Sequence, residues 1–90
     1  SSQATGWNNP EPTYPWLAQR RGIEGTVELL IKVDEQGAPR QIIVRNSSGH
    51  NLLDQAAEKA VWQWRFTPAM QGDKAVAGEV IVPVRFELEA

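Results

Sequence analysis

Ninety residues, 41% of them hydrophobic, suffice for one small domain with one modest core. Nine Lys and Arg against eleven Asp and Glu give a formal net charge of -2, so no basic excess points to nucleic acid. The absence of cysteine excludes a disulfide framework, a cysteine nucleophile and a thiolate metal site.

Residues 1–13 show neither a two-residue nor a 3.6-residue period. Asn, Gly and two prolines make them an extended arm. Trp7 is the exception there, a large ring that either covers core or meets a partner. The segment Tyr14 to Arg21 reads as a short helix with Pro15 in its first turn, where a missing N–H costs nothing. Gly22 is placed to end it, and Arg20 and Arg21 suit the negative end of the helix dipole.

Gly25 to Asp34 is the first clear strand. Val27, Leu29, Ile31 and Val33 share one face; Thr26, Glu28 and Lys32 share the other with one apolar intruder, Leu30. Asp34 to Gly37 makes a turn, Pro39 follows, and a second strand runs over 40–46, so the pair is an antiparallel hairpin. Ser47 to His50 is a loop. Asn51 is placed as an N-cap, with Asp54 in a variant of the capping box. The helix it opens runs to Trp64, with Leu53, Ala56, Ala57, Ala60, Val61 and Trp64 as its buried stripe. Trp62, two residues from Trp64, cannot share that face. Pro68 prevents further helix, Gln71 to Lys74 is a turn or loop, and 75–78 is an extended lead-in.

The last element is a strand over 79–88, in which Val80, Val82, Val84, Phe86 and Leu88 alternate with mostly polar residues. The order helix, strand, strand, helix, strand predicts an α+β domain: two layers, with a three-stranded antiparallel sheet packed on helices.

Few residues carry chemistry. His50 is the single histidine, and Ser47, Ser48 and His50 fit a serine-rich turn feeding a helix far better than a hydrolytic triad, which also needs an orienting third group. Asp34 and Glu35 read as a solvated hairpin tip. Neither a metal cluster nor a phosphate loop is present, and no cofactor is implied. The informative residue is Pro83. Proline has no N–H to give a ladder, so a strand containing one belongs at a sheet edge. Backbone N–H and C=O directions alternate along an antiparallel strand. If Pro83 faces the free edge, Glu79, Ile81, Arg85 and Glu87 face it too, while Val80, Val82, Val84, Phe86 and Leu88 pair inward. Such an edge either receives a strand from another chain or is blunted by proline and charge against aggregation.

Several segments together resemble the C-terminal domain of TonB-family energy transducers: Glu11-Pro12-Thr13-Tyr14-Pro15, 22–27, 34–37, Ser47-Ser48-Gly49, 53–57, Ala60-Val61-Trp62-Gln63-Trp64-Arg65-Phe66-Thr67-Pro68 and Val82-Pro83-Val84-Arg85-Phe86. The likeness covers about residues 10 to 89. It implies a periplasmic domain of a protein anchored in the inner membrane and driven by an ExbB–ExbD motor through a preceding part of the protein. Its implied partner is an outer-membrane transporter for siderophores, haem or cobalamin, whose TonB box is captured as an added strand. The resemblance places that capture on Glu79, Ile81, Pro83, Arg85, Phe86 and Glu87, helped by Glu11, Pro12, Tyr14 and Pro15. The family's Gln-Pro-x-Tyr-Pro reads Glu11-Pro12-Thr13-Tyr14-Pro15 here, and a glutamate accepts hydrogen bonds but cannot donate as glutamine does. The expectation is therefore a binding module and not an enzyme. The alternatives are a TolA-like envelope scaffold and, from another class, a small hydrolase. Two exposed sheet edges also make a homodimer possible.

Overall fold

The computed structural model describes residues 11–88; Trp7 and most of the arm lie outside the described residues. The first helix, α1 (Trp16–Arg21), leads into strands β1 (Gly25–Val33) and β2 (Pro39–Asn46). Helix α2 (Asn51–Val61) follows, then β3 (Ala69–Gln71), β4 (Lys74–Val76) and β5 (Gly78–Phe86). The main sheet has the order β2-β1-β5, antiparallel throughout. The α+β class and its three-stranded sheet are as the sequence predicts.

The two faces of the sheet differ because the side-chain period of a strand is two. Val27, Leu29, Ile31 and Val33 of β1 and Val80, Val82, Val84 and Phe86 of β5 are buried on one face. They form one cluster with Leu53, Ala57 and Val61 of α2, Ala18 of α1, and Phe66. The other face carries Thr26, Glu28, Leu30 and Lys32 beside Glu79, Ile81, Pro83 and Arg85, all exposed or half-buried. The β1–β5 ladder runs without a bulge from Gly25–Phe86 to Val33–Gly78, whereas β2 slips register twice.

The termini of several elements differ from expectation, for local reasons. Pro15 caps α1 in an extended conformation and Tyr14 precedes it, so neither is in the helix. Gly22 ends α1 at φ 67°, as its position suggests. His50 occupies the N-cap of α2 and Asn51 is the first helical residue. No side chain caps the first N–H groups of α2; Asp54 instead ties the preceding loop to the helix, accepting the Ser48 N–H at 3.0 Å and the Ser48 hydroxyl at 2.8 Å, together with the Ser47 hydroxyl. Helix α2 stops at Val61, not Trp64, because the chain turns away to give the Phe66 N–H to the Gly37 carbonyl at 2.8 Å. Trp64 is half-buried beyond the helix and tilts against Phe66. Ala69–Gln71 and Lys74–Val76 pair as a second small sheet, closed by Gly72 at φ 67°, where only a loop and a lead-in were expected. Its two strands are three residues each, too short to show a period in the sequence.

Candidate functional site

The last strand is an edge. In the order β2-β1-β5 only one side of β5 is paired, and no further strand lies against it among the described residues. Which residues point outward follows from the neighbouring hairpin. The Asp34 N–H is bonded to the Ala38 carbonyl, toward β2. Alternation along β1 then directs Lys32, Leu30, Glu28 and Thr26 toward β2, and Val33, Ile31, Leu29 and Val27 toward β5. Their partners Gly78, Val80, Val82 and Val84 are therefore the inward-bonded residues of β5. Pro83, opposite Glu28, faces outward with Glu79, opposite Lys32; Ile81, opposite Leu30; and Arg85, opposite Thr26. The edge thus presents N–H donors at Glu79, Ile81 and Arg85, with a carbonyl and no donor at Pro83.

The same four residues turn their side chains to the bare face of the sheet, and Ile81 is 39% exposed. Glu87 lies past the end of β5, where its carboxylate is 3.7 Å from the Arg85 guanidinium. Both are well exposed, so this pair adds little to stability. Leu88, expected to continue the inward row, also lies beyond the strand; its N–H bonds the Glu24 carboxylate at 2.8 Å. Phe86 differs from the other site residues in being buried, with its ring in the core.

The segment 11–15 meets β5 at one point. The Tyr14 ring stands edge-on to Phe86, centroids 5.4 Å apart, and its hydroxyl donates to the Ile23 carbonyl. Burial of that hydroxyl, with the Glu24 carboxylate nearby, raises the Tyr14 pKa above its ordinary value. The rest of the segment lies over α2: Glu11, Thr13 and Pro15 line a groove of about 380 Å³ with Ala56, Lys59, Ala60 and Gln63. Pro12 is half-buried. The structure therefore brings Tyr14 to the end of β5 and leaves Glu11 and Pro15 on the helix side.

Sequence reasoning missed the use of Leu30. It pairs with Ile43 on β2 and Ile81 on β5, so an apolar row crosses all three strands on the bare face. Ile43 is 38% exposed, and the row reaches the free edge at Ile81. Aligning the two hairpin strands from the turn, with allowance for the bulge, was the signal that would have found it. The other candidate chemistry dissolves into local structure. Both serine hydroxyls of the 47–50 loop donate to Asp54, and the Ser48 hydroxyl also reaches the His50 carbonyl. Burial alone would raise the Asp54 pKa; the hydrogen bonds from Ser47 and Ser48 and the nearby His50 outweigh it and hold the pKa low. Asp34 is lowered chiefly by the Ala38 N–H, against some burial, with help from the Gln36 N–H, Arg40 and Arg65. Its partners are those of a turn.

Fold and edge together define a small, open-faced α+β domain whose most regular exposed feature is the backbone of one strand. Comparison with known proteins gives the family. The model of the C-terminal region of the Gram-negative bacterial TonB protein matches residues 10–88, and the chain belongs to that family. It is 53% identical over 88 residues to "Protein tonB2" of Pseudomonas aeruginosa, and 43% identical over 79 residues to "Protein TonB" of Vibrio cholerae. Those matches take 98% and 88% of this chain but only 33% and 32% of the relatives, so the chain spans about a third of their length. Among solved structures it resembles the Pseudomonas aeruginosa TonB C-terminal domain, with TM-score 0.79 and 32% identity over 100% of this chain and 91% of that one. It also resembles the TonB2 protein of Vibrio anguillarum, with TM-score 0.75 and 28% identity over 100% of this chain and 86% of that one.

Proposed function

We propose that this domain captures the TonB box of an outer-membrane transporter as an added strand on the free edge of β5. Through that junction it would transmit force for uptake of siderophores, haem or cobalamin. The observation that carries this reading is the bulge-free edge strand with three outward donors, at Glu79, Ile81 and Arg85, and an outward carbonyl at Pro83. Main-chain pairing suits a mechanical link, because several hydrogen bonds share the load and the partner's side chains are only loosely specified. Ile81 and Arg85 flank the donor gap, Glu87 closes the far end, and Phe86 holds the strand to the core. Glu11, Pro12, Tyr14 and Pro15 form a second, smaller contact, with Tyr14 linking it to β5. The TonB-like domain is residues 14–90, with 1–13 as an N-terminal arm that brings Glu11 and Pro12 to the second contact. In this reading the domain is periplasmic and non-enzymatic. It belongs to a longer protein that is held in the inner membrane and driven by ExbB–ExbD through its preceding part. A second copy of the chain competes for the same edge.

The test is an amide NMR titration with TonB-box peptides from several transporters. Perturbations concentrated on 79–87 and near 11–15 are expected. Perturbations confined to the helix side, or none with any peptide, would overturn the reading.

A further inference from the structure

We propose that Pro83 makes the β5 edge selective for a strand from a different chain over a second copy of this one; the inference rests on the strand-capture reading above. An exposed edge strand is equally open to any chain with free donors and acceptors. Pro83 breaks that equality by its position. The outward residues are 79, 81, 83, 85 and, just past the strand, 87, so the missing donor falls at the centre of the edge.

Consider two copies pairing antiparallel through β5 about a two-fold axis. Such a contact is isologous, and each copy presents the same gap to the other. With the axis at Pro83, the two prolines face each other and both hydrogen bonds of that pair are missing. Ile81 then faces Arg85, and Glu79 faces Glu87 with like charge, which is itself unfavourable. With the axis at Ile81, each Pro83 faces a Glu79. With the axis at Arg85, each Pro83 faces a Glu87 and the two guanidinium groups meet. Every register that overlaps Pro83 loses two donors. Registers that avoid it are confined to 79–81 or 85–87, too short for a stable strand pair. A parallel arrangement carries both prolines as well. A foreign strand without proline loses one donor only, and it can supply the charges that Glu79 and Arg85 call for.

The self-paired state therefore forfeits twice what the captured state forfeits. Because Pro83 points away from β1, its replacement leaves the β1–β5 ladder as it is. Restoring the donor should tighten self-association by about 10- to 100-fold, for two hydrogen bonds, and peptide capture by only about 3- to 10-fold, for one.

The experiment is sedimentation equilibrium on the 90-residue chain and on Pro83→Val and Pro83→Thr over a wide concentration range, beside the peptide titration. Amide spectra show which variants fold, and the double variant Ile81→Pro/Pro83→Val serves as a further comparison. The expected result is a wild-type chain that is monomeric where the Pro83 variants dimerise, with Ile81→Pro abolishing that dimer. Equal self-association of wild type and both variants would overturn the inference, as would a dimer that survives Ile81→Pro. If the Pro83 variants dimerise through β5 while no peptide binds any protein, the capture reading fails and the self-exclusion stands. If peptide binds at 79–87 and dimerisation does not change, the reverse holds.

Discussion

The Tyr14 ring meets Phe86 edge-on at 5.4 Å and 83°, and this contact ties the segment before α1 to the far end of β5. The geometry is the one aromatic quadrupoles favour. It means that the two stretches singled out for transporter binding are one mechanical unit at Phe86, although most of the 11–15 segment lies over α2. The hydroxyl fixes the ring by donating to the Ile23 carbonyl.

Tyr14→Phe keeps the ring contact and drops the hydroxyl bond. It should lower the urea midpoint modestly, and Tyr14→Ala should lower it much further. The pH dependence separates the two terms. The folded pKa of Tyr14 is raised, so its contribution is fully present below the unfolded value near 10 and is lost as pH rises through the folded value. Denaturation followed from pH 8 to 11 should show a decline in the wild type that is shallower in Tyr14→Phe. An unchanged alkaline decline would exclude this hydroxyl as its source.

Gly37 should tolerate no side chain. Its φ is 83°, and a Cβ would stand 2.0 Å from the Phe66 carbonyl oxygen, which is backbone and cannot swing aside. The clash would push apart the Gly37–Phe66 hydrogen bond that docks the β1–β2 turn on the chain after α2. Gly37→Ala should destabilise by about 2–4 kcal/mol in chemical denaturation, combining left-handed strain with the lost bond. Gly72→Ala also has positive φ but open space around it, and it should cost about 1 kcal/mol. The difference between the two isolates the docking term.

Asp54 gathers the donors of the 47–48 loop at the start of α2, so Asp54→Asn should cost about 1 kcal/mol, as the weakening of hydrogen bonds to a charged acceptor does. The sign with pH is opposite to that of Tyr14. Its folded pKa is depressed, so the stability it confers is present above the unfolded value near 3.9 and is lost as pH falls through the folded value. Wild type and Asp54→Asn should differ at pH 6, and the difference should shrink as pH falls through the folded value of Asp54. A constant difference across that range would count against the carboxylate as the cause.

What the sequence made legible is what a period or a special residue encodes. The alternation in 27–33 and 80–86 gave the two strands and their buried face, and Pro83 marked β5 as an edge before any pairing was known. Terminal positions were less legible because tertiary hydrogen bonds set them. The last turn predicted for α2 is sacrificed so that Phe66 can bond Gly37, a residue 29 positions earlier, and no local pattern announces such a partner. The β3–β4 hairpin is too short for alternation to register, and Leu30 looked anomalous because its partners Ile43 and Ile81 become neighbours only across the sheet. The segment 11–15 was placed with the edge by resemblance; packing sends Glu11 and Pro15 to α2 and brings only Tyr14 to Phe86.

The direction of the β5 donors gives the sharpest prediction, because adjacent residues should respond oppositely to the same substitution. Val82 bonds inward to Leu29, so Val82→Pro removes a ladder bond and orphans a buried carbonyl, for about 2–4 kcal/mol. Ile81→Pro and Arg85→Pro remove donors that face solvent, as Pro83 already does, so both variants should fold with a well-dispersed amide spectrum. Their loss should appear instead in peptide binding, weakened about 3- to 10-fold in each variant as the three outward donors become two beside the existing gap. Trp62→Ala, on an exposed ring away from β5, should leave binding within about 2-fold, in keeping with the small effect of surface changes. Isothermal titration of the four variants against one TonB-box peptide, paired with urea denaturation, measures both quantities. If Ile81→Pro and Arg85→Pro bind as the wild type does, strand addition on this edge is excluded. If instead they unfold while Val82→Pro is tolerated, the outward set has been assigned to the wrong residues, because the substitution reads out which N–H groups the β1 ladder uses.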